Sequence, residues 1–166
     1  MKKILIIVII ASILVVCFLL AKYLLSKKTA KVGSIQSFNY FYTSGYAMNA
    51  DIRYKFLYDA KDNKYLITKK GLYKDEDNSK TIEVDKEFYD KLESIIKKYN
   101  VNSWDGFSGS NKDVLDGDSF SLYIQYNIGS VSASGYMKWP KNYREFKSEI
   151  MELYDPYFVN YDKENY

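Results

Sequence analysis

The chain has no histidine. That removes the commonest general base, the commonest zinc ligand and the usual physiological pH switch together. It has one cysteine, Cys17, placed inside an apolar run, so there is no disulfide framework and no thiol site in the polar part. It also lacks net charge where that would matter. The formal charge is +3, but Lys2, Lys3 and Lys22 lie in the first 25 residues. Residues 26–166 carry 21 basic and 21 acidic groups. A neutral domain has no net electrostatic drive toward a polyphosphate duplex, so no nucleic-acid partner is expected. No internal repeat is visible, and arginine occurs only as Arg53 and Arg144.

What is present begins with Ile4–Ala21, 18 consecutive residues without a charge. As a helix this run would cover about 27 Å, close to the hydrocarbon thickness of a bilayer. Lys22 can snorkel, and Tyr23, Leu24 and Leu25 extend the apolar face, so residues 4–25 are expected to meet the lipid bilayer. Three readings compete: an uncleaved anchor, a cleaved signal peptide and a lipoprotein signal. Nothing near Ser26–Val32 offers the small-residue pair of a cleavage site. The Leu14-Val15-Val16-Cys17 stretch departs from a lipoprotein box at Val16 and stays apolar after Cys17. The uncleaved anchor is therefore the expectation. Counting lysines on either side would place the domain inside, whereas a short basic N-terminus before an apolar run is the grammar of export. The second signal sets the expectation of a single-pass protein of the cell membrane with its domain outside. The expected organisation is a transmembrane anchor over 1–26, a linker over 27–34, a domain over 35–156 and a tail over 157–166.

Beyond residue 34 the periodicity changes. Phe38, Tyr40 and Tyr42 alternate, as do Ile52, Tyr54, Phe56 and Tyr58, the latter opposite Arg53, Lys55 and Leu57. Alternation marks strands buried on one face. Lys64–Lys70 and Thr81–Val84 read as shorter strands, and residues 71–79 as a charged loop. Asp85 offers a cap, and Phe88, Leu92, Ile95, Ile96 and Tyr99 recur at helical spacing up to a stop at Asn100. Residues 101–118 read as an irregular connection. Phe120, Leu122, Ile124 and Tyr126, a turn at Asn127-Ile128-Gly129, then Val131, Ala133, Gly135 and Met137 predict a hairpin. Small Ala133 and Gly135 on its apolar face imply close approach by a bulky group, a helix or Trp104. Asn142 and Glu145 suggest a capping box before a last helix that Asp155-Pro156 ends. The fold class expected is α+β: an antiparallel sheet of five to six strands, two helices packed on one face, preceded by one transmembrane helix.

Three stretches, WDGF from Trp104, VLDGDSFSLYI from Val114 and SASGYMKWPKNYREF from Ser132, resemble a family of uncharacterised bacterial envelope proteins, membrane-anchored or lipoprotein-like. The resemblance covers roughly residues 35–155. It implies a domain in an envelope setting and carries no catalytic residue.

Chemistry-bearing patterns are sparse. Ser94 and Lys97 match Ser-x-x-Lys but have no companion motif, and an amphipathic helix supplies that spacing by chance. Asp113, Asp116 and Asp118 crowd a loop in which calcium is conceivable, although their spacing is not that of an EF-hand and turn chemistry explains them. No catalytic residue, metal or cofactor is expected. The outer face of the hairpin is more informative. Tyr123 and Tyr136 lie there among Ser121, Gln125, Ser132, Ser134 and Lys138. Tyrosine among serine and glutamine suits an adaptable binding surface for a protein or an envelope polymer. The alternative is a small envelope hydrolase using paired carboxylates. The two tyrosines are expected within reach of each other, on the face away from both helices.

Overall fold

A computed structural model describes residues 14–18, 33–45, 51–71, 79–114 and 116–159. The chain divides into two compact units, Met1–Val32 and Gly33–Tyr166. In the first, residues 14–18 are helical, with every side chain exposed, Cys17 included. The rest of the expected membrane segment, the loop residues 72–78 and the tail beyond 159 lie outside the described residues. Among the described residues no helix is long and apolar enough to cross a membrane. Five helical residues rise only about 7.5 Å. The expected transmembrane helix is corrected on this point.

The second unit is a seven-stranded sheet with two helices. In chain order, β1 is Ile35–Thr43, β2 Ile52–Asp59, β3 Lys64–Gly71 and β4 Ser79–Val84. Helix α1 is Lys86–Lys98, followed by a 3₁₀ turn at Val101–Trp104. Then come β5 (Phe107–Ser110), β6 (Ser119–Tyr126), β7 (Gly129–Tyr136) and helix α2 (Tyr143–Tyr154). The sheet order is β4-β3-β2-β1-β6-β7-β5. All neighbours are antiparallel except β5, which pairs parallel to β7. The sheet is therefore mixed and seven-stranded, correcting the antiparallel sheet of five to six strands. The missed strand has a physical reason: FSGS shows no apolar alternation, and its Gly109 lies beside Gly135 of β7. Its pairing is a matter of backbone contacts, continued by Gly106 N–H to Ser132 O (2.8 Å) and Asn111 N–H to Tyr136 O (2.9 Å).

The core lies between one sheet face and the two helices. Phe38, Tyr40, Tyr54, Phe56, Leu122 and Ile124 point inward. Phe88, Leu92, Ile95 and Ile96 of α1 and Tyr143, Phe146, Ile150 and Tyr154 of α2 meet them. Ring contacts join the layers: Phe88 stacks on Phe56 (centroids 6.3 Å), Tyr154 lies on Tyr54 (4.6 Å), and Tyr143 lies on Phe120 (4.4 Å). Phe158, beyond Pro156, is also fully buried.

Asp85 caps α1 by accepting from Phe88 N–H at 3.1 Å, and Asn100 adopts the left-handed conformation past its end. The capping box at α2 does not form. Asn142 is itself left-handed (φ 62) and makes no side-chain cap bond. Gly135 is closely overlain, but not by Trp104 or a helix: a Cβ there would collide with the carbonyl oxygen of Lys138 and the Phe120 ring.

Candidate binding face

Because side chains alternate along a strand, residues between the core positions all reach the other face of the sheet. No described element covers it. The register places them in rows across the strands. One row runs Thr81, Thr68, Lys55, Asn39, Tyr123, Ser132. The next runs Ser79, Lys70, Arg53, Phe41, Ser121, Ser134, Ser108. Strand β1, at the centre, joins the two halves. To one side the face is cationic, with Arg53, Lys55 and Lys70. To the other it is neutral and hydroxylated, with Ser121, Ser132, Ser134 and Tyr123.

Two shallow hollows indent this face, and both are bordered by Arg53 and Lys55. The Arg53 guanidinium lies 5.1 Å from the Phe41 ring centroid, a cation–π arrangement. Arg53 and Lys55 form no ion pair with any described residue. At the far end Lys64 is neutralised by Glu83 at 2.7 Å, and Thr68 and Thr81 share a hydrogen bond of 2.9 Å. Tyr123 is 43% exposed, and its hydroxyl donates to Gln125 Oε1 at 2.6 Å. The Gln125 amide in turn donates to Tyr126 O and Gly129 O, so the pair is fixed to the hairpin end.

The seven residues expected as a surface do not all meet. Ser121, Tyr123, Gln125, Ser132 and Ser134 share the open face. Tyr136 points the same way but lies opposite Ser119, whereas Tyr123 lies opposite Ser132. Four residues of strand, about 14 Å, separate the two rings, so the expected contact between them is corrected. The Tyr136 hydroxyl donates to Val114 O (3.1 Å) instead. Lys138 falls past the end of β7, after Met137 turns the chain with φ 50. Its Cβ lies over the core-side face of Gly109, opposite to the expected surface.

Three residues that sequence reading passed over, Arg53, Lys55 and Lys70, supply the charge. Their alternation against the core stripe was visible, but their neighbours were not. Only the β1–β6 pairing carries their rows on to Ser121 and Tyr123, with Phe41 and Asn39 between.

Other candidates resolve differently. Lys97 is committed to Glu93 at 2.8 Å on an exposed helix face. Asp118 uses one carboxylate oxygen on Tyr42 O–H (2.7 Å) and the other on Gly45 N–H (3.2 Å). Burial pushes its pKa up, but these hydrogen bonds prevail and hold the carboxyl below its ordinary value. Among the described residues no group of three or more Cys, Asp or Glu side chains could hold a metal. The Lys147 ammonium lies 3.1 Å from the Tyr42 ring centroid, and burial lowers its pKa against the opposing pull of Asp118. Glu149 is likewise held low, first by the hydrogen bond from Lys98 and then by that from Tyr99. A glycosidase general acid needs the opposite shift.

No protein-family model matches the chain, and no curated protein matches it significantly.

Proposed function

We propose that the chain is a binding module of the cell envelope whose contact surface is the open sheet face. The observation that carries this is Arg53 and Lys55, without an ion pair among the described residues, set in one continuous face with the exposed Tyr123. On α1, by contrast, Glu87–Lys91 and Glu93–Lys97 pair at 2.7 and 2.8 Å. Tyrosine and arginine are also the side chains most often found as energetic anchors of interfaces. The uncharged run Ile4–Ala21 and the short basic N-terminus support a location at the cell membrane with the domain outside.

The test is retention of the full chain on envelope fragments, comparing wild type with Tyr123→Ala and with the pair Arg53→Gln/Lys55→Gln. Each is expected to fold normally and to lose at least about tenfold in retention, the size of a modest anchor. Lys91→Gln, on the helix side, is expected to change nothing. Equal retention of all four proteins defeats the reading. Protease added to intact spheroplasts tests the orientation: the domain is digested if outside and protected if inside.

A further inference from the structure

We infer that Met137 is an oxidation site: a small peroxide converts its thioether to the sulfoxide, and this releases a side-chain latch between β1 and β6 at one end of the sheet. The inference is independent of the binding reading above.

Thr43, Ser119 and Tyr136 lie side by side where β1 ends, β6 begins and β7 ends. Just beyond them, Met137 and Asp118 are bonded twice. Met137 N–H donates to Asp118 O at 2.9 Å, and Asp118 N–H donates to Met137 Sδ at 3.2 Å. Met137 holds the left-handed backbone conformation, φ 50, which a side chain of its size seldom adopts. Its thioether lies over Gly117: a Cβ there would collide with Met137 Cγ and stand 2.8 Å from Sδ. Gly117 in turn backs onto Gly45, where a Cβ would collide with the Gly117 backbone.

What the sulfur supports is Asp118. The Asp118 carboxylate accepts from Tyr42 O–H through Oδ2 at 2.7 Å and from Gly45 N–H through Oδ1 at 3.2 Å. These two bonds fasten the end of β1, and the residues just after it, to the start of β6. Both depend on where the Asp118 backbone sits, and the sulfur is one of the groups that hold it there.

A thioether fits this place because it is compact, apolar and only a weak acceptor. Met137 is only partly buried, so a small oxidant reaches it. In the reaction a sulfur lone pair attacks one oxygen of hydrogen peroxide, an S–O bond forms, the O–O bond breaks and the second oxygen leaves as water. Sulfur gives up two electrons and the peroxide takes them. The product is polar and carries an added atom on sulfur. If the sulfoxide turns out to water, Asp118 N–H loses its acceptor. If its new oxygen takes that N–H instead, the sulfur stands off from the position it fills over Gly117. Each course displaces the Gly117–Asp118 backbone and loosens both carboxylate bonds. Met151, the other methionine among the described residues, packs against the core from α2 and supports no such latch.

The experiment treats the full chain in detergent with hydrogen peroxide, using Cys17→Ser to remove the thiol. Peptide mass spectrometry locates the added oxygen, and amide hydrogen exchange followed by NMR reads the latch. Met137 is expected to oxidise ahead of Met151. Protection of the Gly45, Asp118 and Met137 amides should then be lost while that of α1 stays. The two methionine sulfoxide reductases, one for each epimer, should restore it. Met137→Leu keeps an apolar side chain of similar volume without the sulfur and should show no peroxide-dependent loss. Oxidation of Met151 ahead of Met137, unchanged exchange once Met137 is oxidised, the same loss in Met137→Leu, or a loss that the reductases do not reverse overturns the inference. The comparison before oxidation, after it and after reduction decides the matter even if Met137→Leu does not fold.

Discussion

The two faces of the sheet are made by the same strands, residue by alternate residue, yet they solve opposite problems. On the covered face β1 and β2 contribute Phe38, Tyr40, Tyr54 and Phe56, each no more than 1% exposed. Their rings join those of α1 and α2 in an unbroken aromatic layer, and the tyrosine hydroxyls find partners: Tyr40 with Tyr143 (2.8 Å), Tyr54 with Asp155 (2.6 Å) and Tyr126 with Asn102 (2.6 Å). On the open face the intervening positions are Asn39, Phe41, Arg53 and Lys55, with cations left unmatched. Net charge conceals this segregation. Among the described residues, acids and bases pair on α1 and at Lys64–Glu83, whereas Arg53 and Lys55 on the sheet form no ion pair.

The sharpest test of the comparison uses adjacent residues of β2. Phe56→Ala opens a cavity in the aromatic layer and is expected to cost about 3–5 kcal/mol. Leu57→Ala, with Leu57 49% exposed, is expected to cost about 0.5 kcal/mol or less. Urea unfolding of both variants decides it. Similar costs would mean that the open face is packed against something and the two-face description is wrong.

How far this contrast was legible follows from which signals are local. Alternation in β1, β2, β6 and β7 and the helical stripes of α1 and α2 fixed what faces the core. Three things were not local. β5 has no apolar alternation, because it pairs by backbone beside Gly135. The β1–β6 pairing joins residues distant in the chain, such as Phe41 and Ser121, and so brings Arg53, through Phe41, into one row with Ser121. The transmembrane helix expected from Ile4–Ala21 falls mostly outside the described residues, and helix 14–18 is too short to cross a membrane. The spacing of Tyr123 and Tyr136, by contrast, was in the sequence. A hairpin pairing Tyr126 with Gly129 sets Tyr123 against Ser132, and simple counting from the turn would have parted the two tyrosines.

A second test moves to β7. Gly135→Leu drives a side chain into the Lys138 carbonyl and the Phe120 ring and is expected to cost about 1–3 kcal/mol or more. Ser134→Leu, one residue away on the open face, should cost much less. A reversal would put the strand register wrong by one, since a single slip exchanges the faces.

Titration separates the faces without mutation. Burial pushes Tyr126 to about 12, and burial followed by the hydrogen bond to Asp118 pushes Tyr42 to about 12. Tyr40 and Tyr143 are raised further, chiefly by burial. In the unfolded chain these phenols ionise near the ordinary value of about 10. Above that pH the unfolded state binds fewer protons than the folded one, so stability falls as pH rises. The contribution is fully present below about pH 10 and is lost between about 10 and 12. Urea midpoints measured from pH 8 to 11 should hold and then decline, and Tyr126→Phe should make the decline shallower. A midpoint unchanged to pH 11 would contradict the buried tyrosine layer.

The smallest effect is expected at Tyr154, where the covered face breaks its own rule. Among the described residues its hydroxyl is the one buried side-chain polar atom without a hydrogen-bond partner. Its ring packs on Tyr54 at 4.6 Å and edge-on to Phe88 at 5.0 Å, and burial holds the phenol far above its usual pKa. An unmatched buried hydroxyl costs about 1–3 kcal/mol, and Phe keeps the ring while removing the oxygen. Tyr154→Phe is therefore expected to stabilise the domain by roughly 1 kcal/mol. Tyr54→Phe, at the neighbouring ring, removes a hydrogen bond to Asp155 that is made, and should destabilise by about the same amount. Opposite signs from two tyrosines in ring contact would show that the covered face is governed by hydrogen-bond satisfaction as well as packing. A loss of stability in Tyr154→Phe would mean that its hydroxyl has a partner after all, such as a buried water.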